Sequence, residues 1–218
     1  MGVTAKPRIE AYIGASGSGK GVSIARRLAE LKPPRLLIWD PRGEYAKHAR
    51  AVSLRVAVQL VAASAGKPFA LRVQHDGRTP PAEAFGLVCK LAFAAGDLVL
   101  LAEELSDVTT ASHAPAAWRQ CITQGRHQRL HVIGAAQRPA LIDKTFLGNC
   151  TYVRCFTLRY EADRKAMASA LDVPVARVSE LQTTEGAGST EINYLERDFR
   201  TKLLQPGRIT LRHRASAT

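Results

Sequence analysis

The sequence predicts an α/β chain in three layers, with a mostly parallel central sheet between helices and a β-rich extension at its C-terminal end. Three observations carry this. Short apolar runs of strand type alternate with stretches whose apolar residues recur at helical spacing, and that alternation produces a parallel sheet covered on both faces. The runs "LLIW" and "LVLLA" are apolar throughout, as strands buried on both sides require. Beyond about residue 186 the pattern changes to "GSTEINYLE" and "GRITLRHR", which read as hairpin-like strands followed by a basic end. The division expected is therefore a main domain over 1–185 and an extension with a basic tail over 186–218.

Along the chain, "RIEAYIG" (8–14) is β-leaning, a glycine loop follows, and "KGVSIARRLAEL" has helical spacing. A proline stop precedes the strand "RLLIWD", which ends in Asp40, and "DPRGEY" is turn chemistry leading into a short helix. Residues 55–65 read as a helix and "FALRVQ" (69–74) as a strand. Thr79 and two prolines start a helix that runs to Gly96. "DLVLLAEE" (97–104) is a buried strand ending in two carboxylates, and a loop comes next. The chain continues as a helix over 114–128, a strand over 130–137, a short helix over 139–149, a strand over 150–158 and a helix over 161–171.

With 218 residues, 46% of them hydrophobic and 23% charged, the chain can bury a full core as one globular unit. Its net charge of +12, spread along the length, favours a polyanionic partner, and nucleic acid is the commonest. Cys89, Cys121, Cys150 and Cys155 form no C-x-x-C pair and read as buried thiols. The first residues show no secretory pattern. The most apolar stretch, 82–105, is interrupted by Lys90 and Asp97, so no integral membrane segment is expected. The six histidines show no zinc-ligand spacing, and Trp39 and Trp118 read as core.

The chemistry starts in "GASGSGKGV", residues 14–22. In the pattern G-x-x-x-x-G-K-[ST], backbone amides of a glycine-rich turn wrap phosphates, the lysine reaches the outer phosphates, and the hydroxyl holds magnesium. Gly14, Gly17, Gly19 and Lys20 fit, between a strand and a helix as the motif requires. The nucleotide-binding set is Gly14, Ala15, Ser16, Gly17, Ser18, Gly19, Lys20, Gly21 and Val22, with ATP and Mg²⁺ as cofactors. Gly21 stands where the hydroxyl belongs. Ser23 is about 200° round the helix and a poor substitute, so the metal falls to phosphates, water and a carboxylate from another strand.

Two strand ends offer that carboxylate: Asp40, and Glu103 with Glu104. The adjacent pair allows one acid to organise the metal while its neighbour polarises the attacking water. Glu103 takes the first role and Glu104 the second. Asp40 either shapes the site near the γ-phosphate or initiates a turn. At the end of the next strand Gln137 is placed to sense the γ-phosphate.

In order, "GASGSGKG", "IWDPRGEY", "LLAEE" and "GRHQRLHVIGAAQRP" resemble the HerA/FtsK superfamily of P-loop motor ATPases over roughly residues 8–160. The resemblance implies an ASCE/RecA-like P-loop NTPase fold and a homo-oligomeric ring, hexamer or pentamer, that pulls nucleic acid through its centre. It also implies an arginine from the neighbouring subunit. Arg119, Arg126 and Arg129 are candidates, and Arg126 matches the family's Gly-Arg element. Within the superfamily the compact chain looks most like ATPases that package double-stranded DNA into the capsids of tailless viruses and phages. The expected partners are then DNA and the viral capsid or portal vertex, and the expected place is the host cytoplasm, docked on the particle. Zot-like filamentous-phage assembly ATPases, small P-loop phosphotransferases and non-hydrolysing scaffolds are the alternatives.

Overall fold

The structure, a computed structural model, describes residues 6–213. The residues before and after, including the end of the basic tail, lie outside the described part. Ten strands form a single sheet: β1 (Ile9–Ile13), β2 (Arg35–Trp39), β3 (Arg50–Val52), β4 (Phe69–Val73), β5 (Val99–Ala102), β6 (His131–Ala136), β7 (Tyr152–Cys155), β8 (Thr183–Glu185), β9 (Ser189–Asp198) and β10 (Leu203–Arg212). Their order is β10-β9-β7-β1-β6-β5-β2-β4-β3, with β8 beside β9. The seven strands from β7 to β3 run parallel, and β8, β9 and β10 are antiparallel to their neighbours. The extension therefore continues the main sheet.

Side chains alternate along each central strand between the two faces. Leu37, Trp39, Leu100, Ala102 and Val132 belong to one core and Leu36, Ile38, Val99, Leu101 and Ile133 to the other, which is why the runs are apolar at every position. The faces are covered unequally. Seven of the helices lie on the first: α2 (Leu54–Ala63), α3 (Pro81–Ala95), α4 (Leu105–Val108), α5 (Ala116–Gln124), α6 (Lys144–Asn149), α7 (Glu161–Leu171) and α8 (Val175–Ser179) all contribute side chains there. Trp39, Phe85, Trp118 and Phe146 stack along this face with ring centroids 5.7, 5.3 and 5.4 Å apart. On the second face α1 (Lys20–Leu31) supplies Ile24 and Leu28, and the hairpin β9–β10 supplies Ile192 and Ile209.

Several boundaries differ from the sequence expectation, each for a local reason. No helix follows "DPRGEY": Asp40 accepts hydrogen bonds from the amides of Glu44 (2.9 Å) and Tyr45 (3.1 Å), which holds 41–49 as turns, and the short edge strand β3 follows. The loop expected after Glu104 contains α4. The helix expected over 139–149 starts only at Lys144, where Asp143 caps it by accepting from the amide of Thr145 at 3.0 Å. The helix expected to reach 128 ends at Gln124 and tightens into a 3₁₀ turn, Gly125–Gln128. All four cysteines are buried and unbridged.

Candidate active site

Sheet register brings the predicted residues to one edge. Ile13 lies opposite Ala136 and Trp39 opposite Ala102. The chain leaves β1 as Gly14, whose amide donates to Ala136 O at 3.1 Å, just before Gln137. Glu103 leaves β5 beside Asp40, its amide donating to Trp39 O at 3.1 Å. The phosphate loop, Asp40, the two glutamates and Gln137 thus share the carboxyl ends of four parallel strands, where open α/β sheets bind ligands.

The loop is built tightly. Gly19, the N-cap of α1, has φ +93°, and a Cβ there would lie 2.7 Å from Ile192 Cδ1 of β9, so only glycine satisfies both the backbone and the packing. At Gly14 a Cβ would fall 2.7 Å from Phe156 Cβ. Lys20 is buried and its Nζ donates to Gly14 O (2.8 Å) and Ala15 O (3.1 Å), folding the loop around its own ammonium. Burial lowers the Lys20 pKa, and the nearby carboxylates of Glu103, Glu104 and Glu44 act against that. Ala15 is half-buried, Ser16 and Gly17 are exposed, Ser18 is buried, and Gly21 and Val22 are half-buried. Ser23 is buried and accepts from Arg154 Nη1 at 2.5 Å, pointing away from the loop and into the sheet.

Glu103 is 2% exposed, and its Oε2 has no hydrogen-bond partner. Tyr45 Oη approaches its Oε1 at 3.5 Å. Burial pushes its pKa up to about 8, Lys20 opposes the rise, and Glu104, Glu44 and Asp40 add to it. An unpartnered acid this deep in the protein fits a divalent cation, because oxygen-seeking Mg²⁺ is held by one or two carboxylates together with phosphate oxygens. Glu104 follows with φ +51° and ψ +56°, the left-handed region, a strained conformation for a side-chain-bearing residue that costs on the order of 1–2 kcal/mol. The turn aims its carboxylate toward Gln137, whose Nε2 donates to Oε1 at 2.7 Å, and toward Arg42, whose Nη1 lies 3.5 Å away.

Asp40 is fully buried, and its oxygens are engaged by the amides of Glu44 and Tyr45 and by Arg72 at 3.3 Å. It holds the turn that carries Arg42 and Glu44. Arg126 is exposed in the 3₁₀ turn that precedes β6, at the opposite end of the strands from the loop, so a single chain does not bring it to the other residues.

Three features escaped sequence reasoning. Glu44 and Arg42 reach the site from the "DPRGEY" turn, a segment noticeable only as part of the motif series. Ile192 of the extension seals the loop at Gly19. A cleft beside the loop is lined by Ala15, Ser16, Gln137, Arg138, Arg159 and Tyr160, with Arg138 stacked over the Tyr160 ring at 4.0 Å and paired to Asp163 at 2.7 Å.

Fold and loop together have the architecture of the P-loop NTPases. The fold matches the genome packaging NTPase B204 of Sulfolobus turreted icosahedral virus 2 in complex with ATP-γS, at a TM-score of 0.67 over 93% of this chain and 98% of that one with 18% identity. It also matches the bacterial conjugative coupling protein TrwB, at 0.53 over 95% and 78% with 14% identity. Protein P9 of Pseudoalteromonas phage PM2 is 31% identical over 174 residues, 78% of either chain. The chain belongs to the family of that P9 protein. No protein-family model matches it. Among the described residues no helix is long and apolar enough to cross a membrane.

Proposed function

We propose that this protein is an ATP-driven motor that packages double-stranded DNA into a viral capsid, working as a ring of identical subunits. The observation that carries the reading is the meeting, at one sheet edge, of a lysine-closed phosphate loop, an unpartnered buried Glu103 and a Glu104 held by Gln137. The packaging activity named for B204, together with the viral origin of P9, supports it.

In the proposed cycle the loop amides beyond Ala15 and Lys20 Nζ take the triphosphate, which replaces the carbonyls of Gly14 and Ala15 as the partners of the ammonium. Glu103 would hold Mg²⁺ with the phosphates, and the cation would neutralise charge on the transferring phosphoryl group. Glu104 Oε1 accepts a proton from water as the water oxygen bonds to the γ-phosphorus. The bond from that phosphorus to the β,γ-bridging oxygen breaks, releasing ADP and phosphate. Gln137 already touches Glu104, so it is suited to couple the presence of a γ-phosphate to the orientation of the base. Arg126, remote from its own site, is assigned to the neighbour's site in the ring. Basic side chains grip the DNA backbone without reading sequence.

The test is ATP hydrolysis at low salt with and without double-stranded DNA. The motor reading expects strong stimulation that declines steeply with added salt. Hydrolysis indifferent to DNA, or undiminished in Glu104→Gln, would sink it.

A further inference from the structure

The proposed site has a gap in its chemistry and a residue positioned to fill it. Gly21 occupies the place where a phosphate loop offers its metal-binding hydroxyl. A Cβ added at Gly21 would meet a single neighbour within 4 Å, Glu44 Oε2, at 3.6 Å. A carboxylate oxygen therefore stands beside the position that the hydroxyl would fill.

That placement is constructed by the fold. The Glu44 amide donates to Asp40 Oδ1 at 2.9 Å and the Tyr45 amide to Oδ2 at 3.1 Å, and Arg72 completes the hold on the same fully buried aspartate. The neighbouring cation on this turn, Arg42, is directed to Glu104 and Asp107. Glu103, whose Oε2 is deeply buried and without a partner, is close enough to Glu44 for the two charges to act on each other. Two carboxylates facing a phosphate cradle form an oxygen-donor set of the kind Mg²⁺ accepts.

We propose that Glu44 supplies the cation ligand that the phosphate loop lacks at Gly21, directly or through one bound water. This rests on the nucleotide-site reading above and assigns the metal chemistry of that site to a residue outside the loop.

The test uses Mn²⁺ as the probe, its binding followed by loss of the free-ion electron paramagnetic resonance signal, with the full chain and a non-hydrolysable ATP analogue present. The variants are Glu44→Gln, Gly21→Ser and the two combined. Nucleotide affinity is measured first in EDTA, in the wild type and in Lys20→Ala. Glu44→Gln is expected to weaken Mn²⁺ binding about 10- to 100-fold, while nucleotide affinity in EDTA and the melting curve stay at wild-type values, since Glu44 is exposed. Gly21→Ser should recover most of the loss in the combined variant and change little by itself. Wild-type Mn²⁺ affinity in Glu44→Gln, or a loss that Gly21→Ser does not repair, overturns the assignment. If the analogue fails to bind the wild type, or binds Lys20→Ala equally well, the nucleotide-site reading falls as well, and the EDTA measurement separates that failure from the other.

Discussion

Glu10, on β1, and Glu103, just past the end of β5, are glutamates 1% and 2% exposed at opposite ends of the same sheet. Glu10, near the start of β1, is gripped by Arg27 through contacts of 2.6 to 3.1 Å and lies 3.0 Å from His131 Nε2. Burial would raise its pKa, but hydrogen bonding and charge from His131 and Arg27 outweigh burial and hold it at about 2. Glu103, just past β5, has the same burial without that company, and its pKa rises to about 8. The contrast teaches that burial alone does not say what an acidic residue is for. A buried charge with its counter-ion built in is architecture, and one left short of partners asks for another explanation.

The largest expected effect separates the two ends by chemistry. Glu104→Gln should reduce kcat for ATP about 10²- to 10⁴-fold with nucleotide binding retained, as expected for loss of a general base. Glu10→Gln should leave kcat per folded molecule within about twofold. Steady-state hydrolysis alongside equilibrium binding of a fluorescent ATP analogue checks both, and a large kcat loss in Glu10→Gln would break the distinction.

Stability should respond in the opposite sense. Glu10→Ala strands Arg27 and His131 and is expected to cost about 3 kcal/mol. Glu103→Gln in the nucleotide-free protein removes a poorly paired acid and should stabilise the fold at pH 8 by about 1–2 kcal/mol. Urea unfolding at a fixed pH measures the two side by side.

The pKa directions sharpen the comparison further. Because the folded pKa of Glu103 lies above the ordinary value of 4.5, its contribution to stability is fully present below pH 4.5 and is lost as pH rises through about 8. The nucleotide-free wild type should therefore become less stable across that window by an amount that Glu103→Gln does not lose. Glu10 has a lowered folded pKa, so its contribution is present above pH 4.5 and is lost only as pH falls through about 2. Urea midpoints at pH 5, 6.5 and 8 for wild type and Glu103→Gln check the sign. Parallel lines would show that Glu103 is less isolated than its geometry indicates.

The smallest effect belongs to the exposed side of the site. Arg42 is 46% exposed and meets Glu104 and Asp107 at 3.5 and 3.4 Å. Arg42→Ala should change stability by under about 1 kcal/mol, because its pair with Asp107 is exposed on both sides and Gln137 still holds the buried Glu104. A larger loss in a thermal melt would mean that the turn bearing Arg42 and Glu44 depends on that arginine and not on Asp40.

Much of this was legible in the sequence. The phosphate loop works through the backbone of one contiguous turn, so its glycines and Lys20 announce themselves, and Glu103, Glu104 and Gln137 could be placed because each ends a recognisable apolar strand. Glu44 was not legible, since "DPRGEY" reads as a turn whichever way its carboxylate faces, and only the hold of Asp40 on the backbone directs it to Gly21. Ile192 was equally hidden. It is an ordinary strand residue until β9 returns against β7 and brings it onto Gly19. Arg126 was chosen by its motif, and it lies before β6, at the far end of the strands from the loop, because a motif fixes neighbours in sequence and not the end of the sheet at which a side chain lies.

By itself the sequence determined the alternation that makes a parallel sheet, the loop that can cradle phosphates and the basic balance that suits a polyanion. These depend on periodicity, turn chemistry and charge count, which act between near neighbours or over the chain as a whole. The tertiary structure decided which buried acid is satisfied and which is not, and which side chain stands beside Gly21. Desolvation and pairing are set by what distant segments pack against a residue, and that exists only once the sheet has closed.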